Sequence, residues 1–235
     1  MSDFSEILIN SIRLIFSFNT ELSDIVFLSL KVSFSALLIS CLIGLPIAAY
    51  SSVKAFFGKK FFILLVNSLM GLPPVFVGLV LYIVFSKSGP LGFFEILYTP
   101  TVMILAQIIL ILPIIISISF ETLESIYFEY EEMLKSLRVS FRDSILIILW
   151  DARYCLLTTV LAGLGRAMSE VGAIIIVGGN IAYYTRVMTT TIALETSKGN
   201  LELALALGTI LILISISLNF IVFMVKHFTK NLSYD

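Results

Sequence analysis

Long apolar runs limit what this chain can fold into. Five stretches of about 20 residues or more hold few charged side chains, namely 25–50, 61–85, 101–120, 154–178 and 203–225. Each is long enough for a membrane-spanning helix, which needs about 20 residues at a rise of about 1.5 Å per residue. Hydrophobic residues make up 59% of the chain and charged residues 13%, a balance that excludes a water-soluble monomer. The sequence predicts an integral membrane protein.

Helices are the expected form of these spans. Backbone groups in lipid must be satisfied within the segment, and the alternating pattern of a membrane barrel is absent from the sequence. We therefore expect an all-α protein with about five transmembrane helices. One membrane domain is predicted over 24–228, followed by a C-terminal tail over 229–235.

The N-terminal segment, 1–23, is expected to differ from the spans. Asp3 and Glu6 precede any basic residue, and Asn10 and Arg13 interrupt the apolar stretch, so the segment lacks the pattern of a signal peptide. Its apolar residues recur at helical spacing. This favours a short amphipathic helix on the membrane surface, with a frayed tail as the alternative.

The distribution of basic residues predicts the orientation. Nine lie on the side that carries the loop after the first stretch, the segment 121–153 and the C-terminus: Lys54, Lys59, Lys60, Lys135, Arg138, Arg142, Arg153, Lys226 and Lys230. Four lie on the other side: Arg13, Lys87, Arg186 and Lys198. The positive-inside rule then places the N-terminus outside and the C-terminus in the cytoplasm.

Several function classes lack a signal in the sequence. The 15 basic residues are balanced by 16 acidic ones, so there is no basic excess for nucleic acid. Cys41 and Cys155 lie in apolar stretches, and His227 is the single histidine, so no metal-ligand or redox spacing exists. No Walker loop occurs either. We expect neither a metal nor an ATP site of the chain's own.

The predicted cytoplasmic segment, 121–152, carries the stretch EYEEMLKSLRVSFRD from Glu129 to Asp143. Met133, Leu134 and Leu137 form a small apolar stripe on an otherwise charged short helix. Outside the bilayer such a stripe has no core of its own chain to cover, which favours a partner's groove. A helix lying on lipid headgroups explains the composition equally well.

The fourth stretch contains charged residues within GLGRAMSEVG. Spacings of three and four residues place Arg166, Ser169 and Glu170 on one helical face. Charges inside a span usually face a protein interior or a water-filled path, so we expect a gating or translocation role. A purely structural salt bridge is the alternative. Small residues such as Gly172 in this stretch favour close approach of another helix, as at a dimer axis.

Two further features are typical of a transport pathway. The outer loop 178–200 is rich in hydroxyls and includes Asn180, Arg186, Thr189 and Thr190, which are able to donate hydrogen bonds to an oxyanion. The phrase GLPPVFVG breaks the second stretch, because prolines 73 and 74 interrupt helical hydrogen bonding. Discontinuous helices near the midplane are common in transporters, although kinks also occur for packing alone.

The segment after Glu132 resembles the cytoplasmic EAA loop of permease subunits in type I ABC importers. Glu132 matches the glutamate of that motif and Leu137 its leucine. Met133 and Leu134 stand where the family has small residues, and Arg138 stands where it has glycine. Trp150 and Asp151 replace its leucine-proline pair.

A longer resemblance covers the chain from about residue 22 to residue 225. The phrase RAMSEVGAIIIVGGNIAYYTRVMTTTIALETSKGNLELALALG, from Arg166 to Gly208, is similar to the permease subunit of bacterial tungstate-uptake ABC transporters. The phrase GLPPVFVGLVLY fits the same group. Molybdate permeases usually carry a GEFG-like phrase where this chain has Ser169 to Gly172, and they lack a phrase resembling Glu195 to Gly199.

The resemblance implies a type I importer permease in the bacterial inner membrane. It implies a homodimer of this chain, two ATP-binding subunits that hold ATP and Mg, and an extracytoplasmic tungstate-binding protein. The chain itself would catalyse no covalent reaction. Three alternatives remain at this point: a permease for molybdate or another oxyanion, a self-sufficient secondary transporter or channel using Arg166 and Glu170, and a structural membrane subunit without a pathway.

Overall fold

The computed structural model describes residues 4–16 and 20–232, and in that part of the chain every regular element is helical. The helices are α1 (Phe4–Phe16), α2 (Thr20–Val53), α3 (Lys59–Leu69), α4 (Pro74–Phe85), α5 (Pro100–Ser136), α6 (Phe141–Met168), α7 (Gly172–Gly178), α8 (Met188–Lys198) and α9 (Leu201–Leu232), with a short 3-10 turn at Gly92–Phe94. The all-α prediction is confirmed.

Four of these helices are long and apolar enough to cross a membrane within the described residues: α2, α5, α6 and the part Leu201–Met224 of α9. The pair α3 and α4 meets the same test together, but the two helices are bent by 96° at their junction. Counting that pair as one span gives the five spans that the apolar stretches predict.

The bend between α3 and α4 follows from its prolines. Helix α3 ends at Leu69, and the amide of Leu72 still donates to the carbonyl of Leu69. Pro73 and Pro74 then have no N–H to continue the ladder. Pro74 begins α4, where its fixed φ suits a first helical position, and the carbonyl of Pro73 accepts from the amide of Val77. The predicted helix break is confirmed.

The ends predicted for the third and fourth spans are wrong. The third apolar run ends at Phe120, but α5 continues to Ser136 because the acidic and aliphatic residues that follow are good helix formers. The fourth stretch was expected as one span over 154–178. Instead α6 begins at Phe141 and ends at Met168, and α7 is a separate short helix. The segment 121–152 is therefore two helix ends joined by a tight turn.

Helix α1 is confirmed as a helix and packs along α9. The Asn10 side-chain amide donates to Glu202 Oε1 at 2.9 Å, and the Ser11 hydroxyl donates to the Glu202 carbonyl at 3.0 Å. Its location on a membrane surface stays a prediction. The predicted boundary at 23 falls inside α2, the one at 228 falls inside α9, and residues 1–3, 17–19 and 233–235 lie outside the described part.

The loops predicted to be cytoplasmic do lie at one end of the bundle. The rings of Tyr50 at the end of α2 and Phe141 at the start of α6 meet edge to face at 5.7 Å. The ammonium of Lys54 lies over both rings. At the opposite end, Arg186 lies 3.6 Å from Glu21 near the start of α2. The two charge-biased sides are therefore separate ends of one bundle.

Glycines allow α4 and α7 to touch. A Cβ atom on Gly78 would lie 2.9 Å from the Cα and 3.1 Å from the carbonyl oxygen of Ala173. A Cβ atom on Gly172 would lie 2.8 Å from Cγ2 of Val75. Helices α4 and α7, each of which follows an interruption of a membrane helix, thus pack backbone against backbone.

Gly78→Ala is expected to destabilise the protein despite the better helix propensity of alanine. The added methyl meets a backbone that cannot rotate away, and such overpacking typically costs about 1–3 kcal/mol. In the matched control, Gly208→Ala, the Cβ meets no described atom within 4 Å. Thermal unfolding in detergent should show a Tm for Gly78→Ala lower by roughly 2 °C or more. A Tm equal to that of Gly208→Ala would contradict this packing.

Candidate functional site

The break between α6 and α7 is built around a buried ion pair. Arg166 lies in the last turn of α6, and its Nη1 is 3.1 Å from Oε2 of Glu170. The Glu170 side chain is 3% exposed and that of Arg166 30% exposed. The other carboxylate oxygen of Glu170 accepts from the backbone amide of Ala173 at 3.0 Å. The predicted pairing is present, although Glu170 lies beyond the end of α6.

Side chains from two other helices satisfy carbonyls at this break. Gln107 Nε2 of α5 donates to the carbonyl of Ala167 at 3.0 Å. Thr189 Oγ1 of α8 donates to the carbonyl of Glu170 at 2.8 Å. In a lipid environment a carbonyl at a helix end that finds no donor costs free energy comparable to a lost hydrogen bond, and these two side chains supply donors at the break. The break is therefore specified by contacts across the fold.

The two interruptions of the membrane helices meet in space, although only the one at the prolines was predicted. Gly172 at the start of α7 is in contact with Val75, directly after the prolines that begin α4. Arg166, Glu170, Gly172, Thr189 and the two prolines thus form one region, which we call the break region. Ser169 is exposed beside it, and its hydroxyl donates to the Arg166 carbonyl of its own helix.

Gln107 was not identified from the sequence. It is 1% exposed about two turns into α5, and its Oε1 finds no hydrogen-bond partner among the described residues. It lines a cavity of about 10 Å³ together with Ser29, Ser33 and Thr189, a volume close to the requirement of one water molecule. The available signal was a single amide in the apolar run ILAQIIL, because polar groups inside spans are usually functional.

The hydroxyl-rich outer loop differs from its prediction. Instead of an open loop, it contains helix α8, and the side chains of Thr185, Thr190 and Thr191 are buried. Thr190 Oγ1 donates to Asn180 Oδ1 at 2.9 Å, and the Asn180 amide donates back to the Thr190 carbonyl. The expectation that Asn180 and Thr190 offer free donors to an anion is therefore not met, because they bond to each other.

Two charged clusters lie near the beginnings of α2 and α9. Arg186 Nη1 lies 3.6 Å from Oε1 of Glu21. Glu195 of α8 accepts hydrogen bonds from Lys198 at 2.8 Å and from Asn200 at 2.9 Å. The bond from Lys198 is the main cause of a lowered pKa of the Glu195 carboxyl, and the Asn200 amide acts in the same direction. The phrase from Glu195 to Gly199 therefore forms a helix end, in which Gly199 has a φ of 80°.

The turn after α5 has the hydrogen bonds of a Schellman motif. The amide of Val139 donates to the Leu134 carbonyl, and the amide of Arg138 donates to the Lys135 carbonyl. Arg138 has a φ of 51°, in the left-handed region that favours glycine. This is the position where the EAA-type motif has glycine, so the turn is kept with arginine in its place. Ser140 then caps α6 by accepting from the Asp143 amide.

The apolar stripe expected on this turn is only partly exposed. Met133 is 49% and Leu137 67% exposed, and Glu132 and Arg138 are exposed beside them. Leu134 is 4% exposed and packs into a cluster shared with α2, α3 and α6. The inference that the stripe has no core to cover is wrong for Leu134, since the Schellman turn directs this side chain inward against Val139.

Comparison with known proteins places these features in a family. The chain is 41% identical over 205 residues to a probable anion ABC transporter permease protein of Haloferax volcanii, covering 85% of this chain and 88% of that protein. The chain belongs to the ABC transporter permeases. The permease is also 37% identical over 217 residues to a tungstate uptake system permease protein of Peptoclostridium acidaminophilum, covering 92% and 95% of the two chains.

A third relative agrees with this assignment. The permease is 41% identical over 169 residues to a tungstate uptake system permease protein of Campylobacter jejuni, covering 72% of this chain and 71% of that protein. No family model matches the sequence. Among the described residues there is no group of three or more His, Cys, Asp or Glu side chains placed to hold a metal ion.

Arg166→Ala is expected to destabilise the permease much more than Ser169→Ala. Removing the guanidinium leaves the buried carboxylate of Glu170 without its cation, and breaking a buried pair in this way commonly costs about 3–5 kcal/mol. Ser169 is exposed and bonds only within its own helix turn, so its loss should cost less than about 0.5 kcal/mol. Thermal unfolding in detergent measures both. Equal Tm values for the two variants would show that Glu170 does not depend on Arg166.

Proposed function

We propose that the permease carries tungstate into the cell as the membrane subunit of an ABC importer. The observation that carries this proposal is the 37% identity over 92% of the chain to a tungstate uptake system permease protein. The membrane-spanning helices and the satisfied helix breaks support a transport pathway, and the substrate assignment rests on the relatives.

The break region is the proposed gate. Arg166 and Glu170 together carry no net charge, so a passing dianion would meet a cation that is already neutralised and would not be held tightly. Around Glu170 the chain has left the regular helix, and its carbonyls accept hydrogen bonds from side chains of α5 and α8, while Gly172 lies against Val75 of α4. A change of conformation there exchanges a few hydrogen bonds without unwinding a helix.

The two ends of the bundle are proposed to face different partners. We place the end with Lys54 and the turn 137–140 in the cytoplasm, facing two ATP-binding subunits that hold ATP and Mg. This leaves the N-terminus outside, where a tungstate-binding protein delivers the cargo. The excess of basic residues at the first end supports this orientation in a bacterial cell membrane.

A second copy of the chain is proposed to complete the pathway. Ala162 and Gly165 of α6 and Ser169 at its C-terminal end are exposed at helical spacing. A Cβ on Gly165 would meet no described atom within 4 Å. Small residues on a membrane helix permit close approach of another helix. Gly163 and Gly172, by contrast, are in contact with side chains of their own chain and are not part of that surface.

Contact with the ATP-binding subunit is proposed to involve Glu132, Met133, Leu137 and Arg138, which are exposed around the turn. Leu137→Asp should abolish recovery of the ATP-binding subunit in a pull-down while leaving the Tm of the permease close to that of the wild type. Truncating a buried apolar anchor at such a contact commonly costs about 1 kcal/mol or more.

Leu134→Asp serves as the comparison for this experiment. Because Leu134 is buried within the chain, its replacement should lower the Tm of the isolated permease. Normal recovery of an active complex with Leu137→Asp would remove the turn from the proposed contact. An unchanged Tm for Leu134→Asp would contradict the burial described above.

The substrate is tested by deleting the gene and supplying tungstate and molybdate together at low concentration. Cellular tungsten and molybdenum are then measured by mass spectrometry. We expect tungsten accumulation to be lost and molybdenum accumulation to be kept, with recovery when the wild-type gene is returned. The reverse pattern would reassign the permease to molybdate, and no change in either metal would refute the oxyanion proposal.

A further inference from the structure

Lys59, the first residue of α3, contacts two other helices at the proposed cytoplasmic end. Its ammonium is 2.9 Å from Oε1 of Glu124 in α5 and lies 5.2 Å from the ring centre of Phe120. It also donates to the carbonyl of Ser52 in α2 at 3.4 Å. One side chain thus connects the beginning of α3 to α2 and α5.

The local sequence alone disfavours a cation at this position. The N-terminus of a helix carries a partial positive charge, and the first turn of α3 holds two lysines, Lys59 and Lys60. Lys60 is exposed, whereas the Lys59 side chain is 22% exposed. Gly58, with a φ of 86°, turns the chain sharply into the helix and brings Lys59 against α5. The contacts with Glu124 and Phe120 offset the unfavourable helix end.

The helix that Lys59 begins leads to the break region. Helix α3 continues through the 96° bend into α4, and α4 is in backbone contact with α7 at Gly78 and Ala173. In the other direction, Glu124 belongs to α5, which ends at the exposed turn 137–140. The bent pair α3–α4 therefore lies between the helix that carries the turn and the helix that follows Glu170.

We propose that Lys59 is a positioning residue that couples α5 to the bent pair α3–α4. Through its bond to Glu124, a displacement of α5 caused by the ATP-binding subunit moves α3, and α4 then displaces α7 at the break region. This inference rests on the proposed function, since it concerns how ATP hydrolysis in the partner reaches the gate. The Lys59–Glu124 ion pair would thus transmit movement of α5 to the bent pair α3–α4.

The ion pair is suited to a direct test because it contributes little to folding. Glu124 is 47% exposed, and exposed pairs contribute little to stability in general. Lys59→Met keeps the length and apolar character of the side chain and removes its charge. Lys60→Met, at the next position, is the matched control. The Tm and the recovery of the ATP-binding subunit should be unchanged in both variants.

The decisive measurement is tungstate uptake per ATP hydrolysed, in proteoliposomes that hold the full complex with loaded binding protein outside. Lys59→Met should lower this ratio by about threefold or more while basal ATP hydrolysis continues. Glu124→Gln should give the same loss, and the double variant should be no worse than either single variant. Lys59→Arg should retain most of the ratio, since it keeps the charge.

The outcomes separate this inference from the proposed function. If the wild-type complex takes up no tungstate, the proposed function fails regardless of Lys59. If the wild type transports and Glu124→Gln keeps the wild-type ratio, the coupling role of the pair is overturned. The same conclusion follows if Lys60→Met loses as much as Lys59→Met. Should Lys59→Met fail to assemble, Glu124→Gln decides, because it changes only one side-chain atom type.

Discussion

The need to satisfy every backbone polar group inside a bilayer governs this structure. An unbroken helix satisfies its own backbone groups. This chain, however, interrupts its helices at two places within the apolar segments, once at Pro73 and Pro74 and once after Met168. At the second break, Gln107 and Thr189 supply donors, and the Glu170 carboxylate accepts the amide that opens α7. The positions of α5, α7 and α8 are therefore interdependent, because each provides one part of the same hydrogen-bond set.

The ion pair at this break follows the same constraint. A buried carboxylate is costly unless it is paired and hydrogen-bonded, and Glu170 is both. Arg166 reaches it from the last turn of α6, and Gly172 removes the side chain that would separate the break from α4. Local sequence, long-range contacts and electrostatics thus agree on one geometry, which a transporter is able to change by exchanging few bonds.

Much of the fold was predictable from hydropathy, and the exceptions have physical causes. Apolar runs indicate which residues lie in the lipid, but they do not indicate where a helix ends. Helix α5 continues past its apolar run from Glu121 to Ser136 because good helix formers follow. The Arg166 to Glu170 pairing came from spacing alone. The bonding of Thr190 to Asn180 depends on a turn closed by tertiary contacts, and the donation from Gln107 joins residues 60 positions apart. Neither has a local pattern.

The burial of Leu134 has a mechanical consequence for the turn 137–140. Met133 and Leu137 are exposed within one helical turn of a side chain that is enclosed by α2, α3 and α6. Pulling Leu134 out of that cluster would open a cavity, which typically costs about 2–5 kcal/mol. When a partner displaces Met133 and Leu137, it therefore costs less free energy for α2, α3 and α6 to move together with Leu134 than for Leu134 to leave the cluster. The end of α5 is therefore anchored in the packed core through Leu134, although its last residues lie at the surface.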